Sequence, residues 1–253
     1  MATGSQIGVD KGLFLKNVVK ELGEDYTEKA LKKALKLFLI DDKPTQDHRM
    51  KKCIDYYTLA ATRFEMGKFY SEAAQSYIAI TELHIKFNTV FGIQLTIGEH
   101  KKIAKTYIKA GDMFIYATNK EQGMAAYNKS INSFLDGFHF IDAAKMAEKM
   151  GDIKSDENKK LDAIKYYKEC CKYYDFTGVA NAASEGDRNR IKVIDLYMDL
   201  EIWEEAMDLL THMINYPIYS DKTRPMYIIL KTKRDHCESK IVPNKPDKPE
   251  ILI

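Results

Sequence analysis

The side chains most able to do chemistry are six histidines, four cysteines and scattered carboxylate pairs. His48, His84, His100, His139, His212 and His236 are dispersed, and no two stand at zinc-ligand spacing with a cysteine pair. Cys53, Cys170, Cys171 and Cys237 include no CxxC, and adjacent Cys170 and Cys171 cannot bridge two elements. Glu204-Glu205 falls where a helix is expected to begin, so these carboxylates serve the helix dipole rather than acid–base work. Phosphate-cradling glycine loops, HExxH and GxSxG are absent. The reading is no catalytic residue, no metal, no cofactor and no enzyme.

Composition agrees with a binding protein. The chain has 253 residues, 45% hydrophobic and 30% charged, which suits a folded core. Lys+Arg of 39 against Asp+Glu of 37 gives +2 at pH 7, so a nucleic-acid coat is not expected and any basic face must be local. No run of apolar residues is long enough to span a bilayer, and the first residues lack the pattern of a secretory leader. Four scattered cysteines fit a reducing compartment, so the expected location is cytoplasmic.

The elements that must position a binding face are helices. All six prolines lie at Pro44 or from Pro217 onward, leaving Thr45 to Tyr216 free of helix breakers. Apolar residues recur at helical spacing in Cys53, Tyr57, Ala60/Ala61 and Phe64, then in Ala73/Ala74, Tyr77 and Ile80. The cycle repeats in 103–115 with 122–135, in 143–150 with 161–174, and in 191–197 with 203–213. Four helical hairpins follow, their first helices starting near 53, 100, 142 and 189, a period of roughly 42–47 residues. Gly67, Gly111, Gly137, Gly151 and Gly186 are taken as turn positions. Trp203 is expected to anchor a hairpin turn.

The expected fold class is all-α: a right-handed tetratricopeptide-like α-solenoid of antiparallel helical hairpins, with a compact antiparallel bundle as the rival. Residues 1–24 form an N-terminal segment, 25–235 the solenoid, and 236–253 an extended Pro/Lys-rich tail. One further amphipathic helix is expected over about 25–36. The β-branched stretch 89–97 reads as a long inter-repeat loop or a frayed helix end.

Several strings, in collinear order over about 25–235, resemble the soluble NSF attachment protein (SNAP) family. They are Ala60-Ala61-Thr62-Arg63-Phe64-Glu65-Met66 followed by Phe69-Tyr70-Ser71-Glu72-Ala73-Ala74; Ala110-Gly111-Asp112-Met113-Phe114; Ala143-Ala144-Lys145; Ala163-Ile164-Lys165-Tyr166-Tyr167 through Tyr173-Tyr174; and Trp203-Glu204-Glu205-Ala206-Met207-Asp208. The resemblance implies a non-enzymatic, peripherally membrane-associated adaptor of vesicle fusion. Such adaptors lie along the SNARE four-helix complex and recruit an NSF-type hexameric ATPase. It places candidate SNARE contacts at Lys145, Arg188, Lys192 and Arg224, and a candidate membrane-contacting loop at Leu37, Phe38, Leu39 and Ile40.

Three departures accompany the resemblance. Asp175 and His139 stand where basic residues are expected, and the pattern decays after about Arg234, before the region through which the family engages its ATPase. Two other readings therefore stay open: a generic tetratricopeptide-like scaffold for protein interactions, and a shortened SNAP mimic that binds SNAREs without ATPase coupling.

Overall fold

A computed structural model describes residues 11–37, 43–215 and 225–241. These form α1 (Lys11–Leu37), α2 (Lys43–Met66), α3 (Tyr70–Val90), α4 (Ile97–Tyr116), α5 (Lys120–Asp136), α6 (Phe140–Asp156), α7 (Lys160–Asp175), α8 (Ala180–Asp199), α9 (Trp203–Ile214) and α10 (Pro225–Ile241). No strand occurs among the described residues. The chain divides into two compact units, Met1–His139 and Phe140–Ile253. In the first, α1 to α5 pack each on the next; in the second, α6 to α10 do the same. Serial packing of hairpins defines the fold class as a tetratricopeptide-like α-solenoid. The expected hairpins α2–α3, α4–α5, α6–α7 and α8–α9 are all present.

One turn is used five times. Three residues join the helices at 67–69, 117–119, 137–139, 157–159 and 200–202. The middle residue is never glycine, yet it is left-handed each time: Lys68, Thr118, Phe138, Asn158 and Glu201 have φ between 58° and 61°. Its N–H donates to a carbonyl three residues back, as in Thr118 to Ile115 (2.9 Å). The next N–H donates five residues back, as in Asn119 to Phe114 (2.9 Å) and Ile202 to Tyr197 (2.9 Å). This Schellman-type pair satisfies carbonyls that a helix end would leave orphaned.

Of the glycines read as turns, Gly67 and Gly137 are in turns, but Gly111, Gly151 and Gly186 lie inside helices. Gly111 and Gly151 admit an aromatic ring instead. A Cβ on Gly111 would stand 2.4 Å from Cε1 of Tyr127, and one on Gly151 would stand 2.6 Å from that of Tyr167.

Two boundaries differ from expectation, and the stretch 89–97 combines its two expected alternatives. Helix α1 begins at Lys11 and continues through Gly23, where the Phe64 ring presses too closely for any Cβ (2.5 Å). The stretch 89–97 resolves into the end of α3, a turn at Phe91-Gly92, and an irregular run to Thr96, whose own backbone is extended. Thr96 caps α4 in a reciprocal capping box with Glu99. Helix α10 runs past residue 235 to Ile241, held by fully buried Cys237 and by His236, which meets Trp203 edge-on at 5.7 Å.

Candidate adaptor face on the first helices

Three of the four hairpins are locked by a tyrosine from the second helix. Tyr127 of α5 enters the notch at Gly111, and its hydroxyl donates to Asp112 (2.6 Å). Tyr167 of α7 enters at Gly151 and donates to Asp152 (2.6 Å). Tyr77 of α3 packs with Ala61 and donates instead to Glu65 (2.6 Å), one turn further along α2, because Thr62 stands where the aspartate would be. Burial, reinforced by the carboxylate partner, pushes all three phenols above their ordinary range.

The solvent side of these first helices carries cations at a fixed register from the notch. Residues 105–112 read KTYIKAGD, residues 145–152 read KMAEKMGD, and residues 188–195 read RNRIKVID. Each string places a cation six and two residues before the Gly or Ile of the notch. Lys145, Arg188 and Lys192, named from sequence, belong to this pattern; Lys105, Lys109 and Lys149 were missed. The signal was available in the recurring K-x-x-x-K-x-G-D.

The two cations of a pair have different surroundings. Lys105 and Lys145, at the first position, are exposed and have no ion-pair partner among the described residues. At the second position, Lys109 lies 5.5 Å above the Tyr77 ring and Lys192 lies 4.8 Å above the Tyr167 ring. The second cation thus ties its hairpin to the locking tyrosine of the hairpin before it.

In the second unit, α6 and α8 exchange charge across α7. Arg188 approaches Glu148 of α6 at 3.2 Å, and Lys192 reaches Glu148 at 3.0 Å and Asp152 at 2.9 Å. Arg188 also lies 2.7 Å from Glu185 on its own helix, without hydrogen-bond alignment. Burial draws the Lys192 amine down, but its bonds to Asp152 and Glu148 outweigh that and leave it raised. The candidate cations Arg188 and Lys192 are thus paired from within, and Lys145 has no ion-pair partner among the described residues.

Two of the three departures have structural uses. Asp175 receives the Arg190 guanidinium through both oxygens (2.6 and 2.5 Å). The His139 ring nitrogen Nε2 meets the Ile97 carbonyl at 3.1 Å and so ties the start of α4 to the turn after α5. Arg224, Phe38, Leu39 and Ile40 lie outside the described residues, and Leu37 is the last residue of α1.

The remaining reactive groups are structural. All four cysteines are buried, and burial pushes Cys171 up to about 12 and Cys170 higher still. Cys171 donates to the Gly186 carbonyl (3.3 Å). His84 sits 3.7 Å from the capping carboxylate of Glu99. Among the described residues no three His, Cys, Asp or Glu side chains gather as a metal site, and no helix is long and apolar enough to cross a membrane.

Helical hairpins packed in series, three of them presenting cations at a fixed register of the first helix, define a tetratricopeptide-like solenoid. Residues 21–224 match the family described as soluble NSF attachment protein, SNAP, and the chain belongs to that family. Its general role is accordingly that of a SNAP-like adaptor. No curated protein matches the sequence. Among solved structures, the crystal structure of BtubC (BKLC) from P. vanneervenii is similar at 11% identity and a TM-score of 0.41, covering 96% of this chain and 98% of that one.

Proposed function

We propose that this protein binds the four-helix SNARE complex along the first-helix faces of its hairpins and recruits an NSF-type hexameric ATPase for its disassembly. The observation that carries the reading is the family match over residues 21–224, which spans the hairpins that bear the cation pairs. Exposed Lys105 and Lys145 make the direct contacts with acidic residues of the bundle. Arg188 adds a contact from α8, and Lys192 mainly shapes the face. Arg224 and the apolar run 37–40 are proposed by family position as a further SNARE contact and a peripheral membrane contact.

The test is co-elution of the purified chain with a preassembled SNARE complex at low and moderate salt. Salt-sensitive binding is expected, with loss on combining Lys105→Glu and Lys145→Glu. Binding that survives both reversals would remove these lysines from the site. Absence of binding by the unaltered protein at low salt would return the chain to a general scaffold role.

A further inference from the structure

We infer that the α6–α8 charge network is a counter-ion latch: Glu148 and Glu185 occupy the Arg188 guanidinium until a more acidic partner displaces them. The inference rests on the SNARE-adaptor reading for the partner's identity, but the latch is a property of this chain.

The geometry separates Arg188 from its neighbour. The Lys192 ammonium has three anchors: Glu148, Asp152 and the Tyr167 ring. The Tyr167 hydroxyl also donates to that same aspartate, so moving Lys192 would undo a hairpin lock. Among the described residues Arg188 has two carboxylates, and its side chain remains 61% exposed. It can swing outward without opening the core. Glu148 cannot follow, because its side chain is 15% exposed and remains bound to Lys192. Release of Arg188 therefore leaves Glu148 paired, so no buried carboxylate is stranded.

The consequence concerns selectivity. A cation already paired gains little from a single carboxylate, because one ion pair is exchanged for another. It gains from a partner that presents several carboxylates together, or that offers a cation to Glu185 in return. The second unit thus favours a surface of dense or mixed charge, such as the outer face of a coiled coil, over an isolated acidic side chain. Exchange also lowers the salt sensitivity of binding, since salt weakens the broken and the formed pair alike.

The test compares the unaltered chain with Glu185→Gln, Glu148→Gln and Glu204→Gln, the last changing net charge equally at an exposed position on α9. Each is titrated with a poly-glutamate peptide and with a preassembled SNARE complex at several salt concentrations. Glu185→Gln and Glu148→Gln are expected to bind poly-glutamate about two- to fivefold tighter with a steeper salt dependence. Glu204→Gln is expected to bind like the unaltered chain, and the gains should vanish when Arg188→Gln is added. Equal gains from all three variants, gains that persist without Arg188, or no gain from either latch variant would overturn the latch. Because Glu148 also holds Lys192, Glu185→Gln keeps the test valid if Glu148→Gln folds poorly. Gains with poly-glutamate and no binding of any variant to the SNARE complex would support the latch and defeat the adaptor reading.

Discussion

Hairpins α6–α7 and α8–α9 meet the same packing requirement with opposite residues. In α6–α7 the first helix supplies Gly151 and the second supplies Tyr167. In α8–α9 the corresponding positions are Ile194 and Leu210, both fully buried. Bulk removed from one helix has been added to the other. The aspartate after the notch changes partner accordingly: Asp152 accepts the tyrosine hydroxyl, whereas Asp195, with no tyrosine opposite, takes Lys233 of α10. The repeat is thus a register of positions, filled by different side chains as long as the volume between helices is kept.

The largest expected effect comes from forcing one solution onto the other. Gly151→Ile should destabilise the protein by about 3 kcal/mol, because even its Cβ would overlap the Tyr167 ring. Adding Tyr167→Leu should restore most of that loss, since the pair then copies α8–α9. Denaturant unfolding of the two single variants and the double variant measures the coupling. Strictly additive losses would show that the two hairpins are not equivalent solutions.

A smaller effect isolates the hydroxyl. Tyr167→Phe should cost about 1.5–2 kcal/mol, the lower end of the range for a hydrogen bond to a charged group, while leaving the ring in its notch. The same bond makes stability depend on alkaline pH. The folded phenols of Tyr127 and Tyr167 hold their protons more tightly than the unfolded chain does, through burial and then the aspartate bond. Their contribution is therefore complete below about pH 10, the unfolded value, and is lost as pH rises above it. Chemical denaturation between neutral and strongly alkaline pH should show this decline, reduced in the Tyr127→Phe, Tyr167→Phe double variant. An unchanged decline would assign it to other groups.

The smallest effect tests the replacement partner. Lys233→Gln should cost no more than about 0.5 kcal/mol, because Asp195 is half exposed and solvent screens the pair. Thermal melting at low salt and at about 1 M salt should show the difference shrinking as the charges are screened. A large, salt-independent loss would mean that Lys233 acts through packing.

The helices and hairpin order were legible because the apolar stripes are regular and prolines are excluded from the middle of the chain. The glycines were harder to read. A glycine that ends a helix and one that admits a ring look alike, and only the tyrosine sixteen positions after Gly111 and Gly151 separates them. Turns built on Thr118, Asn158 and Glu201 gave no glycine signal at all. On the candidate face, Lys145 and Lys192 were found by resemblance, and Lys105, Lys109 and Lys149 were recoverable from the repeated string. The pairing of Arg188 with Glu148 was not recoverable, because the two lie 40 residues apart on different helices and meet only through folding.

The left-handed turn residues have a bearing on heat resistance. A side chain other than glycine in that conformation costs on the order of 1 kcal/mol, somewhat less for asparagine. Lys68, Thr118, Phe138, Asn158 and Glu201 all accept this cost although all five are exposed. Glycine at those joints would relieve the strain, partly offset by the greater freedom of the unfolded chain. The joints therefore hold an unused margin of thermal endurance, one that can be reached without altering a single helix.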